Sequence, residues 1–186
     1  MSEKSIKLIP GVSVLDTSGV GREYKKQDDS LELTLSQEDY KPFFKKAVAS
    51  LKEPVFFFIE TPEGDSDEMN TYYLDNCTVP VAQAILKRYS GILYSDGIIR
   101  FGFGSHTDDD EIFMQEFQLL SIYSKQIGKY EQILKELNYK ENSRAKSIWD
   151  ILSDENVGAR ESVECDDECF EDIIANLSEL GLYKQE

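Results

Sequence analysis

The sequence predicts a single-domain α+β protein in which a mostly antiparallel or mixed sheet is covered by helices. Residues 55–59 are continuously apolar and β-prone between Pro54 and Pro62, which is typical of a strand buried on both faces. Residues 31–35 alternate apolar and polar side chains, the pattern of a half-buried strand. Near the C-terminus, apolar side chains recur at helical spacing instead. Because strands and helices mix without a regular βαβ repeat, a parallel sheet is disfavoured.

One globular domain is expected over residues 31–186, ending in an acidic helix. The chain has 186 residues, of which 40% are hydrophobic, and this is enough to form a sizeable core. Residues 1–30 are assigned more loosely, as an N-terminal arm or as short strands over 6–9 and 12–15. Pro10, Gly11, Gly19 and Gly21 interrupt their apolar stretches.

The first helix follows the strand at 31–35, and two starting points are open. Ser36 and Asp39 resemble an N-cap box, but this start would place Pro42 inside the helix. The alternative is a later start with Pro42 in the first turn. The strand at 55–59 and an acidic loop at 63–70 follow, and residues 72–74 fit a short strand. Thr78 is then expected to cap a helix that ends at Gly91.

The second half of the chain begins with a hairpin signal. Residues 92–94 and 98–103 flank Ser95-Asp96-Gly97, and Asp-Gly suits a tight turn. A long strand is predicted over 111–123, a helix over 127–137 and a short helix over 143–152. The last helix should start at Asp166 or Asp167, with Gly181 as its C-cap and Leu182 folding back. Its inward side chains are Phe170, Ile173, Ile174, Leu177 and Leu180.

Charge is the most informative feature for function. The chain carries a net charge of −16, and residues 150–186 alone hold twelve carboxylates against two basic side chains. Such a surface repels nucleic acid and anionic lipid and attracts cationic partners. The stretch from residue 61 to residue 118 contains only three basic residues, Lys87, Arg88 and Arg100. Direct nucleic-acid binding is therefore disfavoured.

The localisation expected from the sequence is a reducing cytoplasm. Residues 1–4 lead into no apolar run of signal-peptide length, and no stretch approaches a membrane span. Three cysteines, an odd number, are not the framework of a disulfide-stabilised protein.

Two constellations are candidates for metal chemistry. His106, the only histidine, precedes four consecutive carboxylates, and His106 with Asp108 and Asp110 suits a divalent cation. Cys165 and Cys169 would share one face of a helix, and with Cys77 and His106 they would complete a zinc set. Neither pattern has the fixed spacing of a known metal motif, and no cofactor motif is present. A solvated acidic turn and half-buried cysteines are the simpler interpretations.

The aromatic residues lie at strand spacing and are expected in the core: Phe56, Phe57, Phe58, Phe101, Phe103, Phe113, Phe117 and Tyr123. Trp149, on the predicted short helix, is either a core anchor or a partly exposed interface residue.

The favoured function is non-catalytic binding of a basic protein, for example by an immunity protein or antitoxin that neutralises a cationic nuclease. A metal-dependent enzyme or metal-binding domain centred on His106 and residues 108–110 is one alternative, and a DNA-mimic regulator is another. The candidate contacts are Asp154, Glu155, Glu164, Asp166, Asp167, Glu168, Glu171 and Asp172, with Asp108, Asp109, Asp110 and Glu111 as a second patch.

Overall fold

The computed structural model describes residues 5–64 and 68–186, and in these it shows four α-helices and twelve strands. The helices are α1 (Gln37–Ala49), α2 (Val79–Leu93), α3 (Gly128–Glu136) and α4 (Phe170–Ser178). The strands are β1 (Ile6–Ile9), β2 (Val12–Val14), β3 (Glu23–Gln27), β4 (Ser30–Thr34), β5 (Val55–Pro62), β6 (Met69–Cys77), β7 (Arg100–Ser105), β8 (Asp110–Met114), β9 (Leu119–Tyr123), β10 (Lys140–Glu141), β11 (Ala159–Arg160) and β12 (Tyr183–Lys184).

Nine strands form one large sheet in the order β10-β3-β4-β9-β8-β7-β5-β6-β12. Its pairs are antiparallel except for β10 with β3, which is parallel. A second sheet, β1-β2-β11, is antiparallel. The predicted α+β class, with a mixed sheet and helices, is therefore confirmed.

One face of the large sheet forms the hydrophobic core with the helices. Phe57 and Ile59 on β5 pair with Phe103 and Phe101 on β7, and these four side chains are fully buried. All four helices contribute buried residues to the same cluster, including Phe44 of α1. Residues 55–59 are all buried, as the continuous apolar run predicts. We call this side the inner face.

The N-terminal strands join the core rather than extending away from it. Ile9, Val12 and Val14 are buried, and so is Tyr24 on β3. The β1–β2 turn is held by its neighbours, since the N–H of Gly11 donates to the Ser95 carbonyl at 2.7 Å. Residues 1–4, on which the export prediction rests, lie outside the described residues.

Helix α1 uses the earlier of its two possible starts, with Ser36 as N-cap and Pro42 inside the helix. The later start is therefore wrong. The early start places Glu38 and Asp39 in the first turn, where carboxylates interact favourably with the helix dipole. It also buries Tyr40 in the core. These gains accompany the loss of the one backbone hydrogen bond that proline cannot donate.

The predicted hairpin at residues 92–103 is wrong. Helix α2 continues through Gly91 to Leu93, and the following turn is built on Asp96 instead. The Asp96 carboxylate accepts the N–H groups of Ile98 and Ile99, at 2.7 and 3.0 Å. Gly91 serves close packing, because a Cβ there would lie 2.4 Å from the Cys165 sulfur. Gly91 thus has a packing role inside the helix and is not its C-terminal residue.

The predicted long strand at 111–123 is also wrong, because it folds back on itself. A 3-10 turn at Glu116–Gln118 separates β8 from β9, and the two strands pair antiparallel. Phe117 and Gln118 take φ values of 53° and 61°. Bulky residues rarely adopt this left-handed backbone conformation, so the composition of the segment gives no sign of the turn. The strand predicted at 72–74 is longer than expected, and residues 65–67 of the predicted acidic loop lie outside the described residues.

The C-terminal elements agree with the sequence in part. The short helix predicted over 143–152 is only a 3-10 turn at Trp149–Ile151, and α4 begins at Phe170 rather than at Asp166 or Asp167. Leu180 is 68% exposed, so its inward assignment is wrong. The C-cap of α4 is Glu179 rather than Gly181, but the predicted reversal is present: Gly181 has a φ of 103°, and the N–H of Leu182 donates to the Leu177 carbonyl. Among the described helices, none is long and apolar enough to cross a membrane.

Candidate binding surfaces

Residues 153–172, which we call the acidic segment, cross the surface with a fixed backbone. Strand β11 pairs with β2, and the N–H of Gly97 donates to the Glu161 carbonyl at 3.0 Å. The Asp96 carboxylate accepts the Ser162 hydroxyl at 2.6 Å and the Val163 N–H at 3.0 Å. Asn156 is buried, and its side-chain oxygen accepts the backbone N–H of Asp16 at 2.8 Å. Hydrogen bonds to or from the buried residues Asp96 and Asn156 therefore anchor this segment, although it contains little regular structure.

The carboxylates of the acidic segment point mostly into solvent. Six of them are exposed and form no ion pair within the described part of the chain: Asp154, Glu155, Glu164, Asp166, Asp167 and Glu171. The other three have partners, and the first of them is Glu161, whose carboxylate lies 3.8 Å from the Lys7 ammonium. Glu168 forms a two-pronged contact with the Arg88 guanidinium, and Asp172 accepts the Cys169 N–H at 2.9 Å at the start of α4. The segment therefore presents unneutralised negative charge on a fixed scaffold.

The second acidic patch, residues 108–111, has a different environment. Asp108 lies 3.6 Å from the Lys52 ammonium, and Asp109 lies 2.5 Å from that of Lys125. Asp110 is 1% exposed. It pairs with Lys129 and accepts a 3.2 Å hydrogen bond from the Tyr130 hydroxyl. Asp110 is therefore a buried structural group that neither a partner nor a solvent metal can reach directly, which corrects its assignment. Glu111 alone of the four forms no ion pair in the described residues.

The predicted metal ligands are not brought together. Cys165 and Cys169 do not share a helix face, because Cys165 bridges to Glu168 across a turn and Cys169 is the N-cap of α4. Asp166 and Asp167 in that turn have positive φ values. Hydrogen bonds to Glu171 and Asp172 raise the pKa of the Cys169 thiol to about 11. In residues 5–64 and 68–186, no three His, Cys, Asp or Glu side chains converge on a point that could hold a metal ion.

Half of the aromatic residues assigned to the core lie on the other side of the sheet, which we call the outer face. Phe57, Phe101, Phe103 and Phe117 belong to the core cluster, as predicted. Strand pairing places four others on the outer face, outside that cluster: Phe56, Phe58, Phe113 and Tyr123. The spacing of the aromatic residues shows that side chains alternate between the two faces of the sheet, but it does not show which set faces the helices. The core assignment is therefore wrong for Phe113 and Tyr123, whereas Phe56 and Phe58 are buried, at 6% and 4% exposed, but outside the main core cluster.

Two glycines of β7 form the floor of this aromatic cluster. Gly104 pairs with Phe56 and Gly102 with Phe58 across the sheet. A Cβ at Gly104 would lie 2.2 Å from the Phe56 ring, and a Cβ at Gly102 would lie 2.3 Å from the Phe58 ring. The rings therefore lie on bare backbone. The alternation Phe101-Gly102-Phe103-Gly104 is the sequence signal that could have revealed this face, since small residues leave room for rings on neighbouring strands.

A pocket of about 470 Å³ opens at one end of the outer face. His106 stacks on Phe56 with ring centroids 4.6 Å apart, and its side chain is 72% exposed. Tyr73 lies between Phe56 and Tyr183, at 6.1 and 6.4 Å. Carboxylates and tyrosines complete the lining: Asp75, Asp109, Asp110, Glu111, Tyr123 and Tyr183. We call this the outer pocket, and sequence reasoning did not find it.

The electrostatics of the outer pocket are those of a carboxylate-rich concavity. The Tyr183 hydroxyl donates to Asp75 at 2.5 Å, and His106 Nε2 lies 3.7 Å from the same carboxylate. Burial, followed by the charges of Glu111, Glu60 and Asp75, raises the pKa of Tyr73. Glu111 keeps an exposed edge, yet the pocket walls and the charge of Glu60 raise its pKa. The pocket therefore combines ring faces with negative charge.

Trp149 is partly exposed, at 44%, and its ring packs edge-to-face on Phe117 at 5.1 Å. It thus touches a core residue while presenting part of its indole to solvent, and the neighbouring Asp150 pairs with Lys25 at 3.4 Å.

No family model, curated protein or solved structure matches this chain.

Proposed function

We propose that this chain is a non-catalytic cytoplasmic protein that binds a basic protein partner through the acidic segment. The observation that carries the proposal is the row of exposed carboxylates without ion pairs on an anchored backbone: Asp154, Glu155, Glu164, Asp166 and Asp167. A fixed backbone loses little conformational entropy on binding, so it presents these charges in a ready arrangement.

An immunity protein or antitoxin is the most concrete form of this proposal. Enzymes that cut nucleic acid need a positively charged cleft, because they bind a polyanion. An inhibitor that presents carboxylates to such a cleft is steered to it by long-range attraction and competes with the substrate. Association should then be fast at low salt and slower as salt screens the charges.

The partner is sought among the proteins encoded by the flanking genes, because immunity proteins and antitoxins are usually encoded beside their toxins. Each flanking product is expressed alone and together with this chain, and growth and direct binding are measured. We expect one basic product to be toxic alone, harmless in co-expression, and bound with a dissociation constant below about 1 μM. If no flanking product is both basic and bound, the immunity proposal is wrong.

A charge-matched pair of variants then tests the surface. Asp154→Asn, Asp166→Asn and Asp167→Asn together remove three charges from the acidic segment, and asparagine tolerates the positive φ at 166 and 167. The control removes three exposed carboxylates elsewhere, through Asp28→Asn, Asp29→Asn and Glu141→Gln. We expect the first variant to slow association by about tenfold at low salt and the control to change it by less than about twofold. Equal effects would contradict a localised binding surface.

A further inference from the structure

We infer that the outer pocket receives an arginine side chain of a basic protein partner. The inference rests on the proposed function in one respect: the arginine is assumed to belong to the basic protein partner proposed above. The recognition itself depends on residues of the outer face, apart from the acidic segment, and can be measured separately.

The aromatic walls supply the first half of the recognition. Phe56, Tyr73, Tyr123 and Tyr183 line the concavity, and Tyr123 and Tyr183 are 46% and 49% exposed. A cation over an aromatic face is attracted to the negative charge of the π system. A guanidinium is flat and weakly hydrated, so it also stacks on such rings, whereas an ammonium cannot.

The carboxylates supply the second half. Glu111 pairs with Tyr123 across β8 and β9, which places an acid beside an exposed ring. It forms no ion pair in the described residues, whereas its neighbours Asp109 and Asp110 are matched with Lys125 and Lys129. Carboxylate oxygens accept guanidinium N–H groups in the plane of the ion while its faces remain free to stack. The arrangement therefore suits arginine from two directions.

Glu111 also carries a cost that a purely structural residue would not need. Its raised pKa means that the folded protein disfavours the ionised form that exists at neutral pH. Charges of this kind are retained where a ligand compensates for them, and function is commonly maintained at the expense of stability. An anionic or neutral apolar occupant would leave this charge uncompensated.

The test uses N-acetyl-L-argininamide as the probe, with N-acetyl-L-citrullinamide as its uncharged counterpart of nearly the same shape. Amide chemical shifts of the isotope-labelled full chain are followed during titration at low salt. We expect saturable shifts at residues 104, 106, 111, 123 and 183, and at least about tenfold weaker binding of the citrulline compound. Shifts that do not saturate up to about 20 mM, or equal binding of both compounds, would overturn the inference.

Variants separate the two surfaces. Glu111→Gln should weaken argininamide binding about fivefold, since the lost ion pair is partly exposed. Tyr123→Ser should also weaken it, by removing an exposed ring. Asp166→Asn with Asp167→Asn should leave the titration unchanged. Shifts confined to residues 154–172 would assign arginine recognition to the acidic segment and exclude the pocket. Argininamide binding to the pocket, in turn, would stand even if neutralising the acidic segment failed to slow partner association.

Discussion

The two acidic stretches of this chain look alike in sequence and differ in structure. In the second acidic patch, Asp108, Asp109 and Asp110 each meet a lysine, and Asp110 is buried with Lys129. In the acidic segment, Asp154, Asp166 and Asp167 are exposed and form no ion pair within the described residues. A run of carboxylates in a sequence therefore does not establish an acidic surface. The cations that neutralise it come from other parts of the chain.

Asp110→Asn should give the largest effect in this comparison. Removing one charge of a buried pair leaves Lys129 without its counter-ion, which typically costs about 3–5 kcal/mol. Asp154→Asn, an exposed change of the same chemistry, should alter the free energy of unfolding by less than about 0.5 kcal/mol. Urea unfolding of both variants measures the difference. Equal stabilities would show that Asp110 is no more structural than Asp154.

Gly104→Ala tests the floor of the outer pocket, next to the buried end of the second acidic patch. The new Cβ would meet the Phe56 ring at 2.2 Å and the Asp110 carbonyl at 2.5 Å. Overpacking of this kind costs about 1–3 kcal/mol. Gly128→Ala is the control, because a Cβ there meets nothing within 4 Å. It should be neutral or slightly stabilising in α3. If Gly104→Ala is as harmless as Gly128→Ala, the Phe56 ring does not lie in close contact with the backbone at residue 104.

Glu111→Gln should have the smallest effect on stability and a characteristic pH dependence. Because the folded pKa is raised, the folded state binds a proton more readily than the unfolded chain. Ionisation therefore lowers stability as pH rises through the folded pKa. The amide should stabilise the protein slightly at pH 7, by roughly 0.5 kcal/mol or less because solvent screens the exposed edge. The gain should vanish below the unfolded pKa of about 4.3. A variant that is less stable at pH 7 would contradict this account.

The elements that the sequence predicted best depend on local patterns. The apolar run of residues 55–59 gives a strand buried on both faces, and Gly181 takes the positive φ of the reversal that follows α4. Such features follow from neighbouring residues, because burial and backbone conformation act over a few positions. The errors at residues 92–103 and 111–123 have a different origin. Asp96 is bound by Ser162 and Val163, and Phe117 adopts a rare conformation under tertiary constraint.

The candidate sites could be predicted only in part for the same reason. The charge of residues 150–186 is visible in composition, and the exposure of Asp154, Glu155, Asp166 and Asp167 agrees with it. The pairing of Asp110 with Lys129 joins separate elements, β8 and α3, and no local pattern encodes it. The outer pocket depends on strand order, since β5, β6, β8 and β9 must meet before its residues become neighbours.

The most direct test compares association rates for two pairs of amides. One variant carries Asp166→Asn and Asp167→Asn in the acidic segment, and the other carries Asp28→Asn and Asp29→Asn, two exposed carboxylates outside both the acidic segment and the outer pocket. Both change the net charge equally, and each is mixed by stopped flow with the basic partner identified among the flanking gene products. We predict that only the first slows association, by about threefold to tenfold at low salt, with the difference shrinking as salt rises. Equal slowing by both variants, or no slowing by the first, would contradict the claim that the acidic segment is the binding surface.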